Sequence, residues 1–349
     1  MNELHTADVG VRPEAVEGSG HSPVLPHRSV GMRNKEVSAP KRPIIWRIRR
    51  KLMRLLGFFD INTFHQISIE PCFNYCNLRC PYCPVGKGLK LRGMPTGMMS
   101  LAVFKSICAK SLKDFTGQIL LYNWGEPFLN PELPAIVRHA KKHSMACLCL
   151  NSNFSWKYDD RILDILECLE NDIIVISCDG YSQKTCEKYR IGVDFDLVMH
   201  NVELIIKHKK PQTQLHWQYL RFPWNLDEVN AAAEFCESRQ IGFYVSDGGT
   251  TPSYPILPAP HALDQSQSRC DFFRAAAINF DGEVYPCCAY YGPPTYSLGN
   301  ASKTSLQEIF SRGKGKQMLD YLTFQSSGDD SLFCKHCVER NTGLLESWK

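Results

Sequence analysis

The chain has no apolar run that approaches the roughly 20 residues of a transmembrane helix. Its first residues, MNELHTADVG, also lack the basic start and the apolar stretch of a secretory signal peptide. Both absences favour a cytoplasmic protein, in a compartment where thiols stay reduced. The 16 cysteines therefore do not predict a disulfide scaffold, which is normally short and exported.

A broad basic surface is also missing. Seven basic residues and no acidic ones lie between Lys41 and Arg54, so the rest of the chain has a formal net charge of −3, seven below the total of +4. Nucleic-acid binding depends on a positive surface that a body of this charge does not offer. We therefore expect no nucleic-acid partner.

The N-terminal part divides into two segments. Residues 1–43 mix Gly, Pro, Ser, Glu and His without periodicity, which predicts a disordered tail. Residues 44–60 predict a basic amphipathic helix, whose apolar face is formed by Ile45, Ile48, Leu52, Leu55 and Phe59. Packing of this helix against the main domain is the favoured interpretation, and weak peripheral contact with anionic lipid through residues 44–59 is the alternative.

Residues 61–250 alternate between strand and helix patterns. The predicted strands are 65–72, 117–123, 145–151, 172–179, 213–222 and 241–246. The predicted helices between them are 100–112, 131–143, 159–169, 194–210 and 225–240. Six strands alternating with five helices predict an α/β fold, a partial (β/α)6 TIM-like barrel whose ligands collect at the carboxyl ends of the strands.

After residue 250 the pattern changes to a Pro- and Ser-rich linker. INFDGEVY then predicts a β-hairpin with an Asp-Gly turn, and TSLQEIFSRGKGKQMLDYL predicts a helix with a glycine-containing interruption. We interpret residues 251–349 as a small second domain.

The cysteines fall into clustered and scattered groups. Cys108, Cys168 and Cys236 are scattered, and we expect them to be small buried apolar residues. In CNLRCPYC, by contrast, Cys76, Cys80 and Cys83 are spaced for metal ligation, although the three-cysteine pattern alone could also be a zinc site or a coincidence. Three thiolates on a four-iron cube leave one iron with an open coordination position, which is the arrangement of a reactive metal centre.

A fourth cysteine, Cys72, precedes this motif and could be mistaken for another ligand. We expect Cys72 to lie inside the first strand as a packed thiol.

The motif CNLRCPYC resembles the C-x-x-x-C-x-x-C signature of radical S-adenosylmethionine enzymes, with an aromatic residue before the last cysteine. This resemblance implies a six-stranded partial barrel, and a 4Fe–4S cluster whose open iron is chelated by S-adenosylmethionine. One electron from the cluster then cleaves the cofactor, and the resulting 5′-deoxyadenosyl radical abstracts hydrogen from a substrate. A low-potential donor such as flavodoxin or ferredoxin is the implied source of the electron.

Further motifs of this family follow the later strands in the expected order. NWGEPFLNP resembles the family's G-G-E-P motif, with Trp124 where the first glycine is usual, and it implies that Glu126 accepts from the methionine ammonium. The resemblance also places Asn151 and Asn153 where the family commonly contacts the ribose or the methionyl group, and Ser177 and Asp179 near the cofactor or substrate. It assigns Arg190 to the methionine carboxylate.

The second domain carries Cys270, Cys287, Cys334 and Cys337. This set resembles the auxiliary-cluster domains of the same superfamily, called SPASM in the long form and twitch in the short form. The long form adds further cysteines, and this sequence has none between Cys288 and Cys334 or after Cys337. The resemblance is therefore to the short form, which implies one additional 4Fe–4S cluster. A structural zinc site remains the alternative, and Cys288 is the alternative to Cys287 as a ligand.

The resemblance implies an enzyme that abstracts hydrogen from a small polar metabolite, such as a sugar, an aminocyclitol or a nucleoside. Dehydrogenation with the auxiliary cluster as electron acceptor is the preferred reaction. Epimerisation, decarboxylation and maturation of a peptide or protein are the alternatives. A non-catalytic metal-binding or electron-transfer protein is least favoured, because it has no use for Glu126, Asn151 and Asn153 as a methionine pocket.

Overall fold

The computed structural model describes residues 59–81, 83, 85–86, 96–248, 275–286 and 296–324. The predicted N-terminal tail, nearly all of the predicted basic helix and the Pro- and Ser-rich linker lie outside these residues. Among the residues described, no helix is both long enough and apolar enough to cross a membrane.

In the described part of the chain, the strands form one nine-stranded sheet and one small two-stranded sheet. In chain order they are β1 (Gln66–Ile69), β2 (Cys72–Phe73), β3 (Gly97–Met98), β4 (Gln118–Leu120), β5 (Cys147–Ser152), β6 (Ile173–Ser177), β7 (Gln214–Arg221), β8 (Gly242–Asp247), β9 (Ala275–Ile278), β10 (Glu283–Tyr285) and β11 (Gly299–Asn300). The order in the large sheet is β11-β10-β9-β1-β4-β5-β6-β7-β8. Strands β1, β4, β5, β6, β7 and β8 are parallel, which confirms the six predicted strands and the α/β fold class.

The helices follow these strands in the predicted alternation. They are α1 (Leu101–Ile107), α2 (Leu133–His143), α3 (Asp159–Cys168), α4 (Gln183–Cys186), α5 (Phe195–His208), α6 (Val229–Ser238), α7 (Leu306–Ser311) and α8 (Gly313–Phe324). Side-chain caps begin several of them; Asp194 Oδ1, for example, accepts from Leu197 N at 3.0 Å at the start of α5. The predicted interruption of the last helix is confirmed by the break at Arg312, after which Gly313 has a φ of +58°.

The two faces of the parallel strands differ because side chains alternate along each strand. On β7, Leu215, Trp217 and Tyr219 are buried in the main apolar core, where the Trp217 ring packs on Phe235 of α6 at 5.9 Å. Gln218, on the opposite face of β7, is only half-buried. The helix-covered face therefore holds the core, and the inner face is more open and more polar.

The predicted hairpin is confirmed, and it joins the same sheet as the barrel strands. Gly282 turns the chain between β9 and β10 with a φ of +89°, and its N–H donates to Asn279 O at 2.9 Å. Strand β9 pairs in parallel with β1, from Gln66 opposite Ala275 to Ile69 opposite Ile278. The hairpin is thus continuous with the barrel sheet, and the domain boundary at residues 250/251 stays a prediction.

Three expectations about cysteines have different outcomes. Cys108 and Cys236 are buried as predicted, whereas the prediction for Cys168 is wrong. Cys168 is half-exposed at the end of α3, where its thiol donates to Asp164 O at 3.4 Å.

Cys72 is a fully buried thiol, as predicted, but it does not belong to the first strand. Strand β1 ends at Ile69, and Cys72 begins β2, which pairs antiparallel with β3. Pro71 stands between the two strands and cannot donate a ladder hydrogen bond, so the chain leaves the barrel sheet there.

A candidate cofactor site at the carboxyl ends of the strands

The loop that carries the clustered cysteines lies over the carboxyl ends of β5 and β6. Asn77 Nδ2 donates to Ser155 O at 2.7 Å, and Arg79 N donates to Ile191 O at 2.9 Å. Within the loop, Leu78 N donates to the Cys76 sulfur at 3.4 Å. These contacts hold Cys76 and Cys80 against the barrel, where the sequence predicted a reactive site.

The cysteine thiols of this loop interact electrostatically with one another. Burial is the main cause that raises the pKa of Cys76 to about 12, and Glu126 and the Cys83 thiol add to it. Burial also raises the pKa of Cys80 to about 12; the Arg190 guanidinium opposes this rise, and the two neighbouring thiols reinforce it. Three thiolates here would need a positively charged group between them, which the irons of a cluster provide.

No three His, Cys, Asp or Glu side chains in the described ranges are placed to hold one metal ion. That finding concerns a single ion, whereas a 4Fe–4S cube binds each thiolate through a different iron. Three thiols that lie close enough to raise one another's pKa are a donor set that suits a cluster, and Cys76, Cys80 and Cys83 remain its predicted ligands.

The loop after β4 is joined to the start of the cysteine loop through its backbone. Asn74 N donates to Trp124 O at 2.9 Å, and Glu126 N donates to Tyr75 O at 3.0 Å. Gly125 is required between them, because a Cβ at this position would lie 1.8 Å from the Cys72 carbonyl oxygen. Trp124, at the position where a glycine is usual in this motif, donates its N–H to Glu70 Oε2 at 2.6 Å.

Glu126 is a buried carboxylate with three neutral donors. Its Oε1 accepts from Ser152 Oγ at 2.7 Å and from Phe128 N at 3.2 Å, and its Oε2 accepts from Asn153 N at 2.9 Å. Burial raises the pKa of Glu126 to about 7, although these hydrogen bonds oppose the rise. A cation bound beside Oε2 would favour the ionised form.

Asn153 connects this carboxylate to the cysteine loop. Its Nδ2 donates to Asn77 Oδ1 at 3.0 Å and lies 3.8 Å from the Cys76 sulfur. Its Oδ1 accepts from Ser155 N at 2.8 Å. Glu126, Asn153 and Cys76 are thus brought together, as the resemblance implied.

Asp179 and Arg190 are paired with each other. Arg190 Nε donates to Asp179 Oδ2 at 2.7 Å, and Asp179 Oδ1 accepts from Leu220 N at 2.7 Å. Burial raises the pKa of Asp179, and Arg190 is the largest of the effects that lower it. Arg190 forms this ion pair through Nε. Its other two guanidinium nitrogens can therefore still bind the methionine carboxylate that the resemblance assigns to Arg190.

Asn151 and Ser177 form a second group, at the carboxyl ends of β5 and β6. Ser177 Oγ donates to Asn151 Oδ1 at 2.6 Å, and Asn151 Nδ2 donates to Gln218 Oε1 at 3.3 Å. All three side chains are half-buried on the inner face.

Sequence reasoning missed Gln218, Ser152 and Glu70. Ser152 accepts from Phe154 N and from Trp156 Nε1, both at 3.0 Å, and donates to Glu126. Glu70 is fully buried, and its Oε2 accepts from Trp124 N at 2.6 Å. An acidic residue at the end of the apolar strand QISI was a signal that could have identified Glu70.

The second predicted set of ligands, Cys270, Cys287, Cys334 and Cys337, lies outside the described residues, as does the alternative Cys288. The hairpin that leads to Cys287 is described as far as residue 286. The ligand set of this second site therefore stays a prediction.

Comparison with known proteins agrees with this geometry. Residues 71–236 match the family model "Radical SAM superfamily", and residues 270–338 match the model "Iron-sulfur cluster-binding domain". Together these matches include every predicted cysteine ligand of both sites.

Two curated relatives cover most of the chain at low identity. The "Probable GTP 3′,8-cyclase" of Methanococcus maripaludis is 22% identical over 283 residues, which is 80% of this chain and 80% of the relative. A "Cysteine-type anaerobic sulfatase-maturating enzyme" of Clostridium novyi is 20% identical over 332 residues, covering 78% of this chain and 84% of the relative.

Among solved structures, SuiB of Streptococcus suis bound to S-adenosylmethionine superimposes with a TM-score of 0.61 at 14% identity. The match covers 80% of this chain and 72% of SuiB. At this identity the likeness concerns the fold.

The fold, the cysteine loop and the two matched models define an iron–sulfur enzyme with a barrel and a C-terminal cluster-binding domain. The chain belongs to the radical S-adenosylmethionine superfamily, in the group with a C-terminal SPASM-type domain. S-adenosylmethionine and 4Fe–4S clusters are accordingly its cofactors.

Proposed function

We propose that this enzyme dehydrogenates a small polar metabolite of the sugar, aminocyclitol or nucleoside type. The observation that carries the proposal is the inner face of β5, β6 and β7, where Asn151, Ser177 and Gln218 present a hydrogen-bonded polar lining. A small substrate rich in hydroxyl groups would satisfy such a lining, whereas an apolar one would leave its polar groups unpaired.

When bound, the cofactors supply a 5′-deoxyadenosyl radical that removes a hydrogen atom from the substrate, and an auxiliary cluster that can accept the remaining electron. A low-potential flavodoxin or ferredoxin is the proposed donor of the first electron. Cys76, Cys80 and Cys83 are the proposed ligands of the first cluster; Cys270, Cys287, Cys334 and Cys337 are those of the second.

The protein's own contribution at the first site is to hold the cofactor. We assign Glu126 to the methionine ammonium, because its carboxylate is buried beside the cysteine loop and has only neutral hydrogen-bond donors within the described protein. Arg190 is assigned to the methionine carboxylate, with Asp179 fixing the orientation of the guanidinium. Asn153 lies between Glu126 and Cys76 and would orient both.

Dehydrogenation also requires a proton acceptor, and two obvious candidates are poorly suited. His216 Nε2 donates to Gln214 Oε1 at 3.1 Å, and its Nδ1 is buried against Gly242. Burial raises the pKa of Glu70 to about 8, so this carboxyl carries a proton at neutral pH.

Epimerisation, decarboxylation and peptide or protein maturation are the alternative reactions. They differ from dehydrogenation in the fate of the substrate electron and of the abstracted hydrogen. Dehydrogenation consumes one S-adenosylmethionine per product without stoichiometric reductant, because the electron returns to the protein. Return of solvent hydrogen to the substrate carbon would instead indicate epimerisation.

The test begins with protein reconstituted anaerobically with iron and sulfide and offered a panel of polyhydroxylated candidate substrates. We expect one of them to be oxidised, and replacement of Cys334 and Cys337 by Ala to abolish product while reductive cleavage of S-adenosylmethionine continues. Cys168→Ala, which removes a half-exposed thiol on a helix, is the matched control and should behave as the parent. Oxidation of the same substrate at the parent's rate by the double variant would overturn the proposal.

A further inference from the structure

Two buried thiols outside the predicted metal ligands lie in contact with each other. Cys178 directly follows β6 and Cys186 ends α4, and their sulfur atoms are 3.2 Å apart. Both are free thiols on fully buried side chains, and the proposed function gives neither of them a role. A disulfide bond places its two sulfurs about 2.05 Å apart, so these atoms need to approach by only about 1.2 Å to form one.

The backbone around this pair is arranged for a close approach. Gly180 permits it, because a Cβ at this position would lie 2.5 Å from Cys186 N and 2.8 Å from Cys186 Cα. Cys178 is fixed by the neighbouring strand, since its N donates to Gln218 O at 3.3 Å and its O accepts from Trp217 Nε1 at 2.8 Å. The movement that brings the two sulfurs together therefore falls on α4.

Helix α4 is anchored at its start, so this movement is largest at its end. Tyr181 N and Ser182 Oγ both donate to the Glu228 carboxylate, each at 2.6 Å. At the other end, Cys186 O accepts from Arg190 N at 2.9 Å. A displacement of Cys186 toward Cys178 is therefore transmitted to the backbone of Arg190.

The helix that carries Cys186 is a single turn at the protein surface. Its first two residues, Gln183 and Lys184, are exposed. Local opening of so short an element requires much less free energy than global unfolding, and it gives a small reagent access to the sulfurs. A hydrogen bond from Cys178 lowers the pKa of Cys186, which favours the thiolate that attacks a disulfide.

Oxidation by thiol–disulfide exchange then takes two steps. The Cys186 sulfur attacks a small-molecule disulfide, which breaks its S–S bond and releases one half as a thiol. The Cys178 sulfur attacks Cys186 in the resulting mixed disulfide and releases the second half as a thiol. The two cysteines lose two electrons and two protons, and the small disulfide takes them up as it becomes two thiols.

We propose that Cys178 and Cys186 are a reversible disulfide site for small-molecule disulfides, and that the oxidised enzyme binds S-adenosylmethionine more weakly because Arg190 is displaced. The effect on affinity rests on the cofactor site proposed above, in which Arg190 binds the methionine carboxylate and Asp179 orients the guanidinium. Formation of the disulfide itself does not depend on that site.

Peptide mapping tests the disulfide. The reconstituted enzyme is treated anaerobically with hydroxyethyl disulfide, its free thiols are alkylated, and a tryptic digest is analysed by mass spectrometry. Trypsin cuts after Lys184, between the two cysteines, so the disulfide joins peptides 162–184 and 185–188. A Cys168→Ala background removes the other cysteine of the first peptide. We expect the joined peptides after oxidation, and their loss after treatment with dithiothreitol.

Equilibrium binding of S-adenosylmethionine tests the consequence. The oxidised parent should bind about tenfold more weakly than the reduced parent, and dithiothreitol should restore the affinity, because the charge-assisted bond from Arg190 is misaligned only in the oxidised form. Cys178→Ala and Cys186→Ala cannot form the disulfide, so their affinities should be the same before and after the oxidant. Cys108→Ala, which removes a buried thiol elsewhere, is the matched control and should respond like the parent.

Each part of the proposal has an outcome that would overturn it. Absence of the joined peptides after oxidation would overturn the disulfide site. Joined peptides with unchanged affinity would overturn the effect through Arg190, and so would a loss of affinity that is matched by a loss of iron. Failure of the reduced parent to bind S-adenosylmethionine would count against the proposed cofactor site, and the peptide map would still decide on the disulfide.

Discussion

The two ends of the barrel each carry a buried carboxylate, and the two carboxylates are neutralised in different ways. At the amino end of β6, Asp172 forms an ion pair with Lys141, whose Nζ lies 2.8 Å from Oδ2 and 2.9 Å from Oδ1. It also accepts from Leu148 N and Glu170 N. At the carboxyl end of β4, Glu126 has three neutral donors and no ion pair among the described residues.

This difference separates a structural carboxylate from one arranged for a ligand. Asp172 has its counter-ion within the protein, so its charge stabilises the folded chain whether or not a ligand is present. Glu126 has none at hydrogen-bonding distance, and burial accordingly raises its pKa to about 7. A cationic ligand would complete the neutralisation of Glu126, as the amino group of S-adenosylmethionine can.

The largest expected effect comes from removing the metal ligands at the carboxyl end. The reconstituted parent should contain about eight irons, and replacement of Cys76, Cys80 and Cys83 by Ala should remove about half of them and abolish S-adenosylmethionine cleavage. Iron analysis and assay of 5′-deoxyadenosine measure both effects. Cys72→Ala is the matched control and should retain its iron, because Cys72 is a fully buried thiol of β2. A parent with about four irons plus zinc would contradict the two-cluster assignment.

Asp172→Asn should destabilise the amino end of the barrel without changing the affinity for the cofactor. Removing one partner of a buried ion pair costs about 3 kcal/mol here, the lower end of the usual range, because Lys141 is 24% exposed and can reach water. Chemical denaturation measures the loss in the free energy of unfolding. Affinity for S-adenosylmethionine, measured under conditions where the variant is folded, should stay the same. A loss of affinity as well as of stability would contradict the assignment of a purely structural role to Asp172.

Glu126→Gln should produce the opposite combination. The variant loses a charge-assisted bond to the ammonium, worth about 1.5–3 kcal/mol, or a rise of roughly 10- to 150-fold in the Kd for S-adenosylmethionine. Whichever carboxylate oxygen the amide NH2 group replaces, it would face at least one of the backbone N–H groups of Phe128 and Asn153 that now donate to Glu126, so unfolding should become easier by about 1 kcal/mol. Unchanged affinity in a binding titration would mean that Glu126 does not contact the cofactor.

The smallest expected effect is on the pH dependence of binding. Because the pKa of Glu126 is raised to about 7, the carboxyl is protonated below that pH and can no longer neutralise an ammonium. Affinity for S-adenosylmethionine should therefore weaken as the pH falls, by up to about tenfold between pH 8 and pH 6. The same titration of Glu126→Gln should be flatter, and an equally steep profile would assign the titration to another group.

The sequence predicted the barrel well because each strand and helix is encoded locally. The periodicities of two and of 3.6 residues identify six strands and five helices, and the turn residues Asp281 and Gly282 identify the hairpin. Cys168 shows the limit of this approach. A cysteine in an apolar helix pattern suggests burial, but its exposure depends on which neighbouring element covers the end of that helix.

The candidate site was predictable where a motif and a strand end coincide. Cys76, Glu126 and Asn153 follow three different strands, and their proximity comes from the alignment of parallel carboxyl ends. The pairing of Arg190 with Asp179 was not predictable, since Arg190 was expected to face the methionine carboxylate and Asp179 the cofactor or substrate, and nothing in their spacing indicates that one binds the other.

By itself the sequence determined the order of strands and helices and the motif residues that follow each strand, because these depend on neighbours along the chain. Only the tertiary structure decided that β9 pairs with β1, because the paired residues Gln66 and Ala275 are 209 residues apart in the chain. It also decided that Gln218 accepts from Asn151, since these two amides are 67 residues apart. The same holds for the different neutralisation of Asp172 and Glu126. Burial and the distance to a counter-ion are properties of the packed chain, and no local pattern encodes them.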